Sequence, residues 1–487
     1  MVVFNNAIDR LSKATNLLPN TQKLRQRVYS SSPHLGILSF ETAKTMSRLI
    51  SLYRSLSDNE MSKLKDCMNT EGVSFLNSKD PSFLLSLACS ERLEDLENAA
   101  STVARLGLKC VDFGLNRFDI VFNELKLGII DLGKLDYGSK QIEKKVMKME
   151  RLVMATSNLY SSLEGLAEME ISEKRMKFWK QKNGEQNRTN IDLFNQKIAL
   201  QRKDVRRFRS SSLWRQSFDR SVGLMARTIC IIYARICFVF GPYNSSLPRV
   251  TLKNIRSPEQ RENLRNQQEY CLLEPRRVNI TKSGPIPMSA KPNLVRFHSQ
   301  KSIFSSPENN RVFHVADPST VGGSGLAIRY ANVIVTAERY LEMDCSIGKD
   351  ERQSLYEMLP ENLKLVIRKK LSKIVKTSGG LAAENGGDEN MAKGWRDAVN
   401  EILKWLEPVA TDTLKWQSER SFEKMKFEFK PSVLLLQTLH FSDKVKTEAA
   451  IAEVLVGLSC VCWYEDRRCD GEDQDSVAEI SRISLDR

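Results

Sequence analysis

Nothing in this chain of 487 residues offers a catalytic constellation. No Ser-His-Asp, Cys-His or paired-carboxylate arrangement can be assembled, so no catalytic, cofactor-binding or metal-ligating residue is assigned, and neither enzyme activity nor a cofactor is expected. Histidine is scarce, with only His34, His298, His314 and His440. His440, between Leu439 and Phe441, reads as a core or edge histidine rather than a ligand. The ten cysteines are scattered without a C-x-x-C pair. That excludes a patterned disulfide framework and fits reduced thiols in the cytosol or nucleus. Cys460, Cys462 and Cys469 come closest to a cluster, but positions two apart on a helix point to different faces, so zinc is not expected there.

Other absences narrow the field further. MVVFNNAIDRLSK lacks the basic start, sustained apolar core and cleavage site of a secretory signal, so the sequons at Asn187, Asn244 and Asn279 read as chance matches. Val2 stands where an N-myristoylated chain needs glycine. A long uncharged apolar run is missing too. The nearest, residues 221–240, is interrupted by Arg227 and Arg235 on either side of its midpoint, each costing about 2.5–3.5 kcal/mol near a bilayer centre. It reads as a buried helix, with the arginine stems covering apolar neighbours and their heads reaching water or an acidic partner. The glycines at 322, 323 and 325 lack the Lys-Ser/Thr of a phosphate loop, since Leu326-Ala327 stand there, and read as a hinge.

What is present is helical periodicity in a chain that is 41% hydrophobic. Phe4, Ile8 and Leu11 mark a short peripheral helix in residues 1–33. From 34 to 136, Ile37, Leu38, Ala43, Met46, Leu49, Ile50, Tyr53 and Leu56 form one wide apolar stripe. Ser57-Asp58 caps a second helix and Asp80-Pro81 opens a third, while Gly114, Gly128 and Gly133 punctuate the end. In 139–240 the pattern predicts a long helix to Arg209. Ile142, Val146, Met149, Val153, Thr156, Tyr160, Leu163 and Ala167 fit a and d positions, but Leu152, Leu159 and Leu166 widen the stripe, which favours packing within the chain over a dimeric coiled coil. Residues 241–319 are a Ser/Pro-rich basic linker without a packed core. From 320 to 466, Leu326, Ile328, Tyr330, Val333, Ile334, Ala337 and Leu341 open a second bundle. Pro360 separates two further helices, Pro408 interrupts the next, and 433–465 forms the last. Residues 467–487 are a polar tail. The predicted fold is all-α, with two helical-bundle regions joined by a long basic helix and a disordered basic linker.

Particular strings carry a resemblance. GGSGLAIRYANVIV, LYEMLP, ILKWLEP, WQSER and LLLQTLHFSDKVKTEAAI resemble the C-terminal domain of the plant phytosulfokine-simulator family. LGILSFETAKTMSRLISLYRSLSD and FLLSLACSERLEDL resemble its N-terminal domain. Both domains are known as domains of unknown function. The resemblance implies a growth-promoting regulatory protein linked to peptide-hormone signalling, acting through protein partners and without catalysis, in the nucleus or cytoplasm.

Charge is distributed unevenly. The chain carries a net +14, yet residues 174–311 hold 28 Lys and Arg against 9 Asp and Glu, a net +19, which leaves −5 for the rest. Within this region Arg202, Lys203, Arg206, Arg207 and Arg209 form a candidate nuclear-import or anionic-partner patch, read by importin or by an acidic lipid surface at the inner face of the plasma membrane. The plain alternative is a solvated helix face. A nucleic-acid surface is not expected, because only Phe208 and Trp214 are placed to stack on bases. Ser257 and Ser306, each before proline, are candidate phosphorylation sites where added charge would cancel the local positive field.

Overall fold

A computed structural model describes residues 34–135, 137–183, 188–248, 316–343, 349–378, 387–420 and 433–469. The expected N-terminal helix, most of the linker with Ser257 and Ser306, and the tail from 470 lie outside the described residues. Among those residues the regular elements are helical, with two isolated bridges, His34 to Ser217 and Thr320 to Asp443.

The N-terminal bundle begins with α1 (Ser39–Ser55), α2 (Asp58–Met68), α3 (Glu71–Leu76) and α4 (Pro81–Gly107). The starts of α2 and α4 are those the sequence signals, whereas α3 is a further short helix between them. The Ser57 hydroxyl accepts the Glu60 N–H at 3.4 Å and the Asp80 carboxylate accepts the Ser82 N–H at 2.9 Å, with Pro81 in the first turn where a missing N–H costs nothing. Ala43, Met46, Leu49, Ile50 and Leu56 of the α1 stripe are wholly buried, whereas Ile37 lies outside the core, 69% exposed. Two short helices follow, α5 (Phe113–Asn116) and α6 (Phe118–Lys126), in the glycine-punctuated stretch.

The segment 139–209 differs from the single long helix its pattern predicts. It forms α7 (Lys140–Asn183) and α8 (Arg188–Ser211), and α8 runs back along α7. The Gln201 amide donates to the Ser162 carbonyl at 2.9 Å, and Arg202 pairs with Glu173 at 3.0 Å. Ile142, Val146, Met149 and Val153 are buried in the N-terminal core, so the first half of the heptad seam is filled by the chain's own bundle, whereas Tyr160 and Leu163 are half-buried and Ala167 is exposed. No described side chain of α7 after Leu159 is buried. Beyond Leu159, α8 reaches α7 through Gln201 at Ser162 and Arg202 at Glu170 and Glu173.

Helix α9 (Phe218–Phe240) is the centre of this bundle. It is the one helix among the described residues long and apolar enough to cross a membrane, but 61% of its apolar window is buried against protein. Val222, Met225, Ile229, Ile232, Ile236 and Phe240 are each 0% exposed, and each such side chain contributes about 1.5–3 kcal/mol. Arg235 reaches the bundle edge as expected: Nε donates to the Leu56 carbonyl at 3.1 Å, Nη2 pairs with Asp58, and the guanidinium lies 4.8 Å from the Tyr137 ring centroid. Arg235 thereby ties α9 to the carbonyl end of α1. Replacing it by alanine is expected to cost about 1–3 kcal/mol in urea unfolding, the value of hydrogen bonds to a charged group. A midpoint unchanged from wild type would remove Arg235 from the joint.

The C-terminal bundle comprises α10 (Ala327–Glu342), α11 (Lys349–Glu357), α12 (Glu361–Ser378), α13 (Gly387–Arg420) and α14 (Lys444–Cys469). Tyr330, Val333, Ile334, Ala337 and Leu341 are buried as the spacing predicts, whereas Ile328 is 41% exposed. Pro360 does separate α11 from α12. Pro408, expected to interrupt the next helix, lies inside a continuous α13. Packing of Leu406, Val409 and Ala410 in the core outweighs the one hydrogen bond that proline forgoes. The last helix starts later than predicted: residues 435–437 and 439–441 form two 3-10 turns, and α14 begins at Lys444.

The glycine segment is a packed turn rather than a flexible hinge. Gly322 N donates to the His440 carbonyl at 2.9 Å, and a Cβ on Gly322 would meet His440 Nδ1 at 2.2 Å. Gly325 takes φ +72°, a left-handed conformation that side chains rarely adopt.

Candidate functional site

Two features outside the simple burial of apolar faces stand out: the joint between the bundles and the basic helix α8. At the joint each bundle lends residues to the other's core. Leu76 at the end of α3 is buried in the C-terminal core, while Leu434 and Leu436, before α14, are buried in the N-terminal core. Backbone and amide groups close the exchange. Asp443 N donates to the Leu76 carbonyl at 2.8 Å, Asn77 Nδ2 to the Leu436 carbonyl at 2.5 Å, and Ser442 Oγ to Asn77 Oδ1 at 2.8 Å. Helix α3 lies so close to α13 that a Cβ on Gly72 would stand 2.3 Å from the Trp405 carbonyl oxygen. Phe75 meets the Trp405 ring edge to face, centroids 5.3 Å apart.

A charged cluster is buried at this joint. Glu91, Arg92 and Asp95 of α4 are only 2%, 6% and 6% exposed. Glu91 Oε1 accepts from the Trp416 indole N–H at 3.0 Å and from Arg420 Nη2 at 2.8 Å, and its Oε2 accepts the Leu435 N–H at 2.8 Å. The Arg420 guanidinium lies 4.7 Å from the Trp416 ring centroid and 3.5 Å from Asp95 Oδ2. Burial pushes the Glu91 carboxyl above the usual carboxylate range, and Arg420, the indole and the amide pull against that rise. A charge with three donors is well satisfied but costly to leave unpaired. Sequence reading missed this cluster. The available signal was position: Glu91, Arg92 and Asp95 fall on the stripe of Ala88 and Ala99, where a solvated charge has no place.

The five predicted basic residues all lie on α8 and all are exposed. Helical spacing puts Arg202, Arg206 and Arg209 along one flank and Leu193, Leu200 and Arg207 along another. Arg202 is paired with Glu170 and Glu173 of α7, at 3.5 and 3.0 Å, and Arg207 with Asp204 at 3.2 Å. Arg207 stacks on Phe208 and Arg209 on Trp214, each 4.8 Å from the ring centroid. The two aromatics considered for base stacking are thus covered by the protein's own cations. Lys203 and Arg206 present their charges outward. Leu193 and Leu200 are 64% and 63% exposed on the same helix.

Several described thiols are buried and unreactive. Burial pushes Cys89, Cys230 and Cys237 up to about 12 and Cys460 up to about 11, so they stay protonated at neutral pH. Among the described residues no three His, Cys, Asp or Glu side chains converge as a metal set. Tyr330 is a packing and hydrogen-bonding group, its hydroxyl donating to Glu448 Oε1 at 2.7 Å.

Comparison with known proteins adds what geometry does not. A family described as "Domain of unknown function (DUF3475)" matches residues 37–92, and one described as "Protein of unknown function (DUF668)" matches residues 320–415. Glu91 lies at the end of the first match, and Trp416, Arg420 and Leu435 lie just beyond the second. Three curated Arabidopsis thaliana proteins are similar along most of the chain. Protein PSK SIMULATOR 3 is 24% identical over 88% of this chain and 56% of its own length. PSK SIMULATOR 1 is 24% identical over 87% of this chain and 55% of its own. PSK SIMULATOR 2 is 22% identical over 94% and 65%. The chain thus spans between about half and two thirds of the length of these relatives. No solved structure matches it.

Proposed function

Because this chain is a homologue of the PSK SIMULATOR proteins, we propose that it is a non-enzymatic regulatory protein promoting plant growth, linked to phytosulfokine-type peptide-hormone signalling. It acts through protein contacts in the nucleus or cytoplasm. The observation that carries this reading is similarity to three such proteins over 87–94% of the chain. Supporting it, the conspicuous charged groups at the joint hold two helical bundles together. Removing the protein from a plant should weaken growth and its response to the hormone peptide, and the wild-type chain should restore both. Normal growth and hormone response in a line lacking this protein and its close homologues would refute the reading.

The basic face of α8 is the contact proposed for importin or another acidic protein. R206E/R207E/R209E is expected to lower nuclear accumulation of a tagged chain roughly tenfold while leaving stability within about 0.5 kcal/mol, as for exposed positions. Unchanged localisation and unchanged protein capture would return α8 to a solvated face. A second reading, a peripheral adaptor at the inner face of the plasma membrane, is favoured by Leu193 and Leu200 standing exposed on the flank of α8 that carries Arg207. Phosphate on Ser257 and Ser306 would weaken either contact by cancelling positive charge in the linker, and phosphosite mapping of the plant protein tests that.

A further inference from the structure

We propose that the outer face of α12, in the C-terminal bundle, is a docking surface for an anionic lipid bilayer. This surface is separate from α8 and independent of the signalling role. Helix α12 contains Lys364, Arg368, Lys369, Lys370, Lys373 and Lys376 against a single acid, Glu361. The chain outside 174–311 is net acidic, so whole-region charge hides this helix. Its inner side is fixed: Leu363 and Ile367 are 1% and 4% exposed in the core, and Asn362 and Lys370 bond Glu448 and Glu453 of α14. Lys364 and Arg368 turn back over the Tyr356 ring, 5.4 and 5.6 Å from its centroid.

The opposite side faces solvent. Leu365, Lys369, Ser372, Lys373 and Lys376 follow at helical spacing and are all exposed. Leu365 and Val366 are 51% and 42% exposed beside these lysines, and Val375 is 38% exposed at the edge. Three ammonium groups of one sign, with exposed aliphatic side chains at the end and edge of their row, fit a surface that is itself anionic outside and apolar just beneath. An acidic protein would call for a pocket, an aromatic anchor or arginine forks, and this face presents none of them among its exposed residues. Lysines serve here as point charges that tolerate a fluid arrangement of headgroups.

The test is co-sedimentation of the full chain with vesicles of phosphatidylcholine alone or with about one third phosphatidylserine, at about 0.1 M salt where screening is moderate. Wild type should pellet only with the acidic vesicles. K369A/K373A/K376A should bind them about 100-fold more weakly, about fivefold per lysine. L365S/V366S should also lose binding, and both variants should melt like wild type because all five side chains are exposed. R206E/R207E/R209E on α8 distinguishes the two surfaces, because loss of vesicle binding in that variant alone would place the contact on α8. The inference fails if wild type does not pellet with acidic vesicles, if the α12 variants bind as wild type does, or if only the α8 variant loses binding. It also fails if the lysine variant loses affinity for soluble poly-glutamate while L365S/V366S leaves vesicle binding intact, since that pattern assigns the face to an acidic protein.

Discussion

Replacing Glu91 by alanine is expected to destabilise the protein by about 3–5 kcal/mol and to uncouple its two bundles. The side chain is 2% exposed and satisfies three donors at once: the Trp416 indole, the Arg420 guanidinium and the Leu435 amide. Removing the carboxylate leaves Arg420 beside Asp95 alone, at 3.5 Å, and leaves the indole and amide donors without that acceptor. A buried donor stranded in this way costs its full desolvation penalty. The loss falls at the joint, so urea unfolding should change from one transition to two, with the fluorescence of Trp405 and Trp416 reporting the earlier step. The double variant E91A/R420A should be less harmful than the sum of the two single changes, because removing both partners strands fewer charges. Strict additivity, or a midpoint for E91A within experimental error of wild type, would contradict the role given to this cluster.

The second large effect is expected at Gly72, where local and tertiary physics predict opposite signs. Gly72 lies in α3 at an ordinary helical φ, so helix propensity predicts that alanine stabilises by about 1 kcal/mol. The tertiary structure predicts the reverse. An added Cβ would lie 2.3 Å from the Trp405 carbonyl oxygen and 2.8 Å from Val409 Cγ2. The nearer contact is backbone in the middle of α13 and cannot rotate away. Forcing α3 off α13 would also pull Leu76 from the C-terminal core and open the Phe75–Trp405 contact. We expect G72A to lose about 1–3 kcal/mol net, as for overpacked cores, and to lower the cooperativity of unfolding as E91A does. A rise in melting temperature would show that the close approach of α3 to α13 is not essential. Gly394, whose added Cβ would meet nothing within 4 Å, provides the control in which alanine is expected to stabilise.

The all-α architecture was legible in the sequence because the signals are local. The spacing of Ala43, Met46, Leu49 and Ile50, the serine and aspartate caps at 57 and 80, and Pro360 each act within a turn or two of helix. The arginines of residues 221–240 were sufficient to favour a buried helix over a membrane span, because a charge near a bilayer centre and a charge at a bundle edge differ by kilocalories. The basic residues of α8 were legible as a patch, but not the acids and rings that occupy several of them: Arg202 needs Glu173, and Arg209 needs Trp214.

Periodicity and capping, which depend on neighbours three or four residues apart, were enough to determine that this chain is helical and where several of its helices begin. Only the tertiary structure decided that α7 and α8 fold back on each other, that α13 runs on through Pro408, and that Leu76 and Leu436 exchange cores. The same holds for the joint, where Glu91 meets Arg420 across 329 residues of sequence. Such contacts are set by how buried faces and charges find partners in space, and no short window of sequence holds both halves of the pair.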